Sequence, residues 1–363
     1  MVNKPEKDSL NKFNKEKVNA SEVMQQVLHE QIKGSVETTE RMKLENQYNS
    51  IVQTYTSTGV INTLEDNQSL GITTADSEIN QEYPVPTLQQ ISKLLSHKSP
   101  EELSEFHKEI EAGTIEFILE PFGMKLDTLM TKYFSQLVEL REKGKLIQID
   151  YTDDGKPVPK PVVVSNSISK DKPLWKPYYK GSQFGGIKYC QKFSKQLDGW
   201  YSSTPDKGYK KEEILNGKKE NGSDLPADLI MNFPGWRVLF VKPNATGRVN
   251  KKVETLFVEY NKILAPHSNE IQQFPETFVS RAMNNWNEKG ELIVPNNYRN
   301  GVDFACICTG VMLQDRLAAA CYWYRDSQQL YMRTYELNDL LGFTGTQYLE
   351  DALKSDSKSY LEF

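Results

Sequence analysis

Charge along this chain is sorted, not mixed: residues 1–124 carry net −9, residues 125–262 net +9 and residues 263–363 net −5. A basic stretch of that length has to reach solvent in any fold, because unpaired like charges are not buried. Its densest part, residues 170–212, holds ten lysines against four acids, interleaved with nine aromatics: Trp175, Tyr178, Tyr179, Phe184, Tyr189, Phe193, Trp200, Tyr201 and Tyr209. Ammonium groups for phosphates and ring faces for bases are what non-specific recognition of single-stranded nucleic acid requires. The competing reading of the same composition is a loop whose rings pack inward while its lysines are solvated.

At 363 residues the chain suits one large or two medium domains with flexible parts. A hydrophobic content of 38% is low for a fully compacted chain of this length. The polar N-terminal third, rich in Asn, Gln, Ser, Thr, Lys and Glu and poor in aromatics, is the part least suited to a core. The four cysteines, Cys190, Cys306, Cys308 and Cys321, are sparse and mostly set in apolar sequence, which reads as reduced core thiols and a reducing compartment. The N-terminus has no apolar signal region. The longest near-apolar run, Phe304 to Leu313, is about half of a bilayer span. These features predict a chain without a signal peptide or membrane span, cytoplasmic or in a virion.

Segment by segment, residues 1–86 read as a flexible acidic arm with one or two short helices, the first over Ala20–Lys33. Residues 87–144 read as a helical subdomain. There, Leu88, Ile91, Leu94 and Leu95 share a helical face, and Ser99-Pro100-Glu101-Glu102 has the form of a capping box with proline at the first helical position. A third helix, Lys125 to Lys143, is stopped by Gly144. Residues 145–248 read as a basic, aromatic-rich, β-containing middle. Its LIQIDY run alternates with period two, Asp154-Gly155 turns, and the prolines of VPKPVVVS confine the returning strand to a sheet edge. GWRVLFV, at 235–241, is a buried strand. Residues 249–363 read as a helical C-terminal subdomain with helices at Val249–Leu264, Glu276–Lys289, Gly301–Arg325 and Leu330–Leu341. Together these predict a mainly helical α+β fold: two helical subdomains flanking a small β-containing middle.

Several constellations bear on chemistry. PNATGRVNKK, read as a turn into a helix N-terminus, places Arg248, Lys251 and Lys252 near a phosphate, with Arg237 on the preceding strand; the pattern lacks the P-loop ending. Cys306 and Cys308, two apart, have the wrong spacing for zinc and read as buried thiols. Cys190, His267 and Asp303 assemble a nucleophilic triad only on paper, without a local signature. Paired acids at Asp153/Asp154, Glu212/Glu213 and Glu350/Asp351 read as solvated. Asp315-Arg316, the only charges in the apolar run, require partners.

The resulting expectation is a non-enzymatic, self-associating nucleic-acid-binding structural protein of the coat or nucleoprotein type. It binds single strands through Trp175, Lys176, Tyr179, Lys180, Lys188, Lys192, Lys195, Trp200, Arg237, Arg248 and Lys251, with no cofactor and no metal. The alternative is a bacterial or phage interaction, assembly or effector protein that binds no nucleic acid. An enzyme acting on a phosphorylated substrate through Arg237, Arg248 and Lys251 is a third.

Overall fold

The computed structural model describes residues 24–27, 48, 83–95, 99–112, 116–152, 156–163, 175–177, 188–189, 208–225, 231, 233–241, 246–252, 270–271, 273–287, 289–295, 298–299, 302–303, 305–313, 317–325, 328–336, 340–346 and 349–350. Most of the arm expected over 1–86, including most of its first expected helix, lies outside them.

The described core takes Met24 and Val27 from helical residues 24–27 and Tyr48 further on, and is then built by helices α1 (Leu88–Leu95) and α2 (Pro100–Glu111). The start of α2 is set by its own residues: the Glu102 N–H donates to Ser99 Oγ at 3.2 Å and the Ser99 N–H donates to Glu102 Oε2 at 2.8 Å, with Pro100 entering the first turn. Leu103, Phe106 and Ile110 recur at helical spacing and are buried. Strand β1 (Glu116–Glu120) precedes α3 (Leu126–Glu142), whose Leu129, Met130, Tyr133, Leu137 and Leu140 are buried. Just beyond its C-cap, Gly144 adopts φ +64, the left-handed turn that glycine allows without strain.

Strands β2 (Leu146–Tyr151) and β3 (Pro157–Pro161) form the expected hairpin, with β9 (Leu292–Ile293) parallel on the far side of β2. The Val162 N–H donates to the Leu146 carbonyl at 2.8 Å. Pro157, Pro159 and Pro161 therefore fall at the alternate positions whose backbone faces away from β2. The exposed outer edge has no N–H at any of the three, which blocks pairing with another strand.

The remaining strands are β4 (Trp175–Pro177), β5 (Lys188–Tyr189), β6 (Arg237–Val241), β7 (Thr246–Lys252), β8 (Glu270–Ile271), β10 (Tyr298–Arg299), β11 (Val302–Asp303), β12 (Ala305–Leu313), β13 (Leu317–Tyr324), β14 (Gln329–Glu336), β15 (Leu340–Thr346) and β16 (Leu349–Glu350). Helices α4 (Lys211–Asn216) and α5 (Pro275–Met283) complete the set. A four-stranded sheet runs β1-β6-β16-β8. A seven-stranded sheet runs β4-β14-β13-β12-β15-β7, with β5 added to β12, and β10 pairs with β11 alone. These sheets draw strands from all three stretches 87–144, 145–248 and 249–363.

The mainly helical expectation is therefore overturned, and the C-terminal third is where it fails. Gly301–Arg325 is the antiparallel pair β12 and β13; Leu330–Leu341 enters β14 and reaches β15; Val249 and its neighbours are strand β7 against β15. Among the described residues of this third, Glu276–Lys289 holds the one helix, α5, which ends at Met283, and residues 253–264 of the expected Val249–Leu264 helix lie outside them. The cause is burial on both faces: Ala318 through Trp323 are all buried, so no polar alternation marks the strand, and its alanines favour a helix on propensity alone. As strand residues, Cys308 and Cys321 are buried with their sulfurs 3.8 Å apart. Asp315-Arg316 falls in the connection between β12 and β13, outside the described residues. Among the described residues no helix is long and apolar enough to cross a membrane.

Candidate functional site

The seven-stranded sheet gathers part of the predicted binding set. Both of its outer strands come from the basic middle of the sequence: β4 lies parallel to β14, with Trp175 beside Leu330 and Lys176 beside Tyr331, and β7 lies antiparallel to β15, with Arg248 beside Thr344 and Lys251 beside Leu341. Strand β5 joins the same sheet, Lys188 beside Met312 and Tyr189 beside Val311. The two edges are five strand spacings apart, roughly 24 Å. Between them runs a tyrosine cluster: Tyr322 and Tyr331 stack at 5.3 Å, and Tyr324, 39% exposed, meets Tyr331 edge-on at 5.7 Å. Trp175, Lys176, Lys188, Arg248 and Lys251 thus share one sheet; Tyr179, Lys180, Lys192, Lys195 and Trp200 lie outside the described residues. The turn into a helix N-terminus at PNATGRVNKK does not exist, because six of its residues are paired in β7.

Arg237 goes elsewhere. It opens β6, directly across from Glu120 at the end of β1, and its Nε sits 3.1 Å from Glu120 Oε1. Arg237 is 5% exposed, and its guanidinium carbon lies 4.0 Å from the centre of the Phe274 ring. The hydroxyl of Thr277 donates to Glu120 Oε2 at 2.5 Å and accepts from the Phe274 N–H at 3.3 Å. One residue earlier, Glu276 stands in the first turn of α5, where the helix dipole favours an anion. Its Oε1 accepts from Tyr189 OH at 2.8 Å and from Lys211 Nζ at 2.8 Å, and Lys211 also donates to the Met124 carbonyl at 2.7 Å. The rings of Phe122, Tyr189 and Phe274 wall this cluster, with centroids 5.0–5.6 Å apart.

Glu120 and Glu276 are completely enclosed. Burial pushes the Glu120 carboxyl above the usual carboxylate range; Arg237 opposes the rise, Glu276 adds to it, and the Thr277 hydroxyl and Lys211 oppose it. Burial, then Glu276, raises the Tyr189 phenol well above its ordinary value, so it is a hydrogen-bond donor at neutral pH. Two enclosed acids, the buried Arg237 and the largely buried Lys211 form a network that links β1, β5, β6, α4 and α5. Arg237 is consequently turned into the core and is far from the role of a phosphate ligand at a surface. Among the described residues there is no group of three or more His, Cys, Asp or Glu placed to hold a metal.

Sequence reading missed Glu120, Glu276, Lys211 and Tyr189 as a unit. The available signal was an acid set directly in apolar sequence, in EFILEPF and again in FPETF, where an isolated carboxylate demands a partner. Comparison of the chain with family models, with curated proteins and with solved structures gives no match.

Proposed function

We propose that this chain is a non-enzymatic, self-associating protein that binds single-stranded nucleic acid across its seven-stranded sheet. The observation that carries the reading is the placement of three strands from the basic middle, with Trp175, Lys176, Lys188, Arg248 and Lys251, in one sheet that also carries the exposed Tyr324, whose ring is backed by the buried Tyr331. Basic residues on strands spread over about 24 Å follow a phosphate backbone, and the exposed Tyr324 ring, with Trp175, supplies stacking for bases without regard to sequence. Arg237 is no part of this surface, since its charge is spent on Glu120.

The test is binding of a labelled single-stranded oligonucleotide by the full-length protein over a range of salt, together with its elution volume and ultraviolet absorbance ratio before and after nuclease. Lys188→Glu/Lys192→Glu/Lys195→Glu weakens binding and flattens the salt dependence by about 0.7 in slope for each phosphate no longer neutralised. Trp175→Ala weakens binding by roughly tenfold, a stacking loss of about 1–3 kcal/mol, and leaves the slope unchanged. Wild-type protein that elutes as a monomer with a protein-like absorbance ratio and binds no oligonucleotide at low salt overturns the proposal in favour of a protein-binding role.

A further inference from the structure

We infer that Asn221 is a modification site: it deamidates within the folded protein, through a cyclic imide formed with the Gly222 nitrogen, in preference to Asn216, which also precedes a glycine among the described residues. The inference is independent of the nucleic-acid reading.

Residues 219–223 form a tight turn closed by the antiparallel Lys218–Asp224 bridge. The Lys219 N–H donates to the Ser223 carbonyl at 2.8 Å, and the Gly222 N–H donates to the Lys219 carbonyl at 2.9 Å. Residues 220–224 are exposed, so water reaches the turn. Gly222 adopts φ +82 and, having no Cβ, leaves its own nitrogen open to close approach.

The Asn221 amide is held and polarised by the same residue. Its Oδ1 accepts from the Ser223 N–H at 3.1 Å and from the Ser223 hydroxyl at 2.7 Å. A backbone N–H can only donate, so these bonds fix Oδ1 toward Ser223 and leave Nδ2 on the other side. When the Gly222 nitrogen attacks Asn221 Cγ, negative charge develops on Oδ1, where two donors are already in place. The Gly222 proton passes to water, the Cγ–Nδ2 bond breaks and ammonia leaves. Water then opens the imide at the side-chain carbonyl to give aspartate, or at the backbone carbonyl to give isoaspartate. The sum is an amide plus water to a carboxylate plus ammonium, with nothing oxidised or reduced. One negative charge thereby enters the basic stretch 125–262.

Asn216 has the same following residue in a different setting. It is the last residue of α4, and the Gly217 N–H donates to both the Glu213 and the Ile214 carbonyls at the helix end. The nitrogen beside Asn216 is therefore engaged twice. The one beside Asn221 is held by a single bond of an exposed turn, which opens readily.

The experiment incubates the full-length protein in mildly alkaline buffer, with and without urea, and reads aspartate and isoaspartate at 221 and 216 by peptide mapping. In the native protein Asn221 converts about tenfold faster than Asn216; in urea the two rates become comparable, because the Ser223 donors and the helix end are both lost. Ser223→Ala removes the hydroxyl donor alone and slows Asn221 by about fivefold, whereas Ser223→Thr keeps a hydroxyl and the rate. Three results overturn the inference: Asn216 converting as fast as Asn221 in the native protein, a preference undiminished in urea, or an Asn221 rate unchanged in Ser223→Ala. Should Ser223→Ala fail to fold, the wild-type comparison between buffer and urea decides.

Discussion

Lys143 and Glu139 form an ion pair one turn apart on α3, and Arg237 and Glu120 form another across β1 and β6. The groups are of the same kind; their surroundings are opposite. The side chains of the first pair are 58% and 63% exposed, so water already solvates each charge and the pair adds little. Those of the second are 4% and 0% exposed, so neither charge has an alternative partner in solvent. There the pair is held less by its own attraction than by the penalty of leaving either member alone. Glu276 with Lys211 follows the same rule, 0% and 14% exposed, and Lys210 with Glu220 follows the surface rule. The number of ion pairs therefore says little about this molecule, and their depth says most of it.

The largest expected effect separates a broken pair from an absent one. Arg237→Met strands the Glu120 carboxyl and removes a cation stacked on Phe274, and loses about 3 kcal/mol in urea unfolding. Adding Glu120→Gln to that variant recovers most of the loss, since a neutral amide with a methionine leaves no buried charge. If the double variant is no better than Arg237→Met, the pair is a net contributor and the contrast with the surface pairs is one of degree.

A smaller effect appears in pH. The Glu120 carboxyl titrates above its unfolded range, so the folded state holds its proton more tightly. The stabilisation this supplies is complete below the unfolded value of about 4.3 and is lost as pH rises through the raised folded value. Glu120→Gln cannot titrate there. The stability difference, wild type minus Glu120→Gln, therefore declines as pH rises from about 4 toward neutrality. A difference that grows with pH instead means that Arg237 holds the carboxylate ionised. Smallest of all is Lys143→Ala, expected to change the unfolding free energy by less than about 0.5 kcal/mol; a larger loss would place that surface pair with the buried ones.

The candidate binding set is only half legible in the sequence. Sorted charge points to the basic middle, and three of its strands do enter the seven-stranded sheet. That the tyrosines at 322, 324 and 331 lie between them is not visible there, because they sit in stretches whose composition suits a helix. The basic neighbourhood of Arg237 suggests a surface cation, whereas its register partner is an acid 117 positions earlier. Nothing local to either residue announces a pairing of that separation.

What the sequence determined by itself was local and one-sided. Ser99, Pro100 and Glu102 set the start of α2 because the capping bonds join residues three apart. Gly144 ends α3 because a left-handed turn needs no distant partner, and Pro157, Pro159 and Pro161 place β3 at an edge because a missing N–H is a property of the residue. Tertiary structure decided the rest. The runs 305–313 and 317–324 became strands because Ala318 through Trp323 are covered on both faces and because β12 and β13 are hydrogen-bonded to each other and to β14, β15 and β5. Glu120 and Glu276 became the centre of the core because Arg237, Lys211 and Tyr189 arrive there from other elements. Periodicity reports a segment that meets solvent on one side; where solvent is excluded from both sides, the partner chosen in three dimensions carries the information.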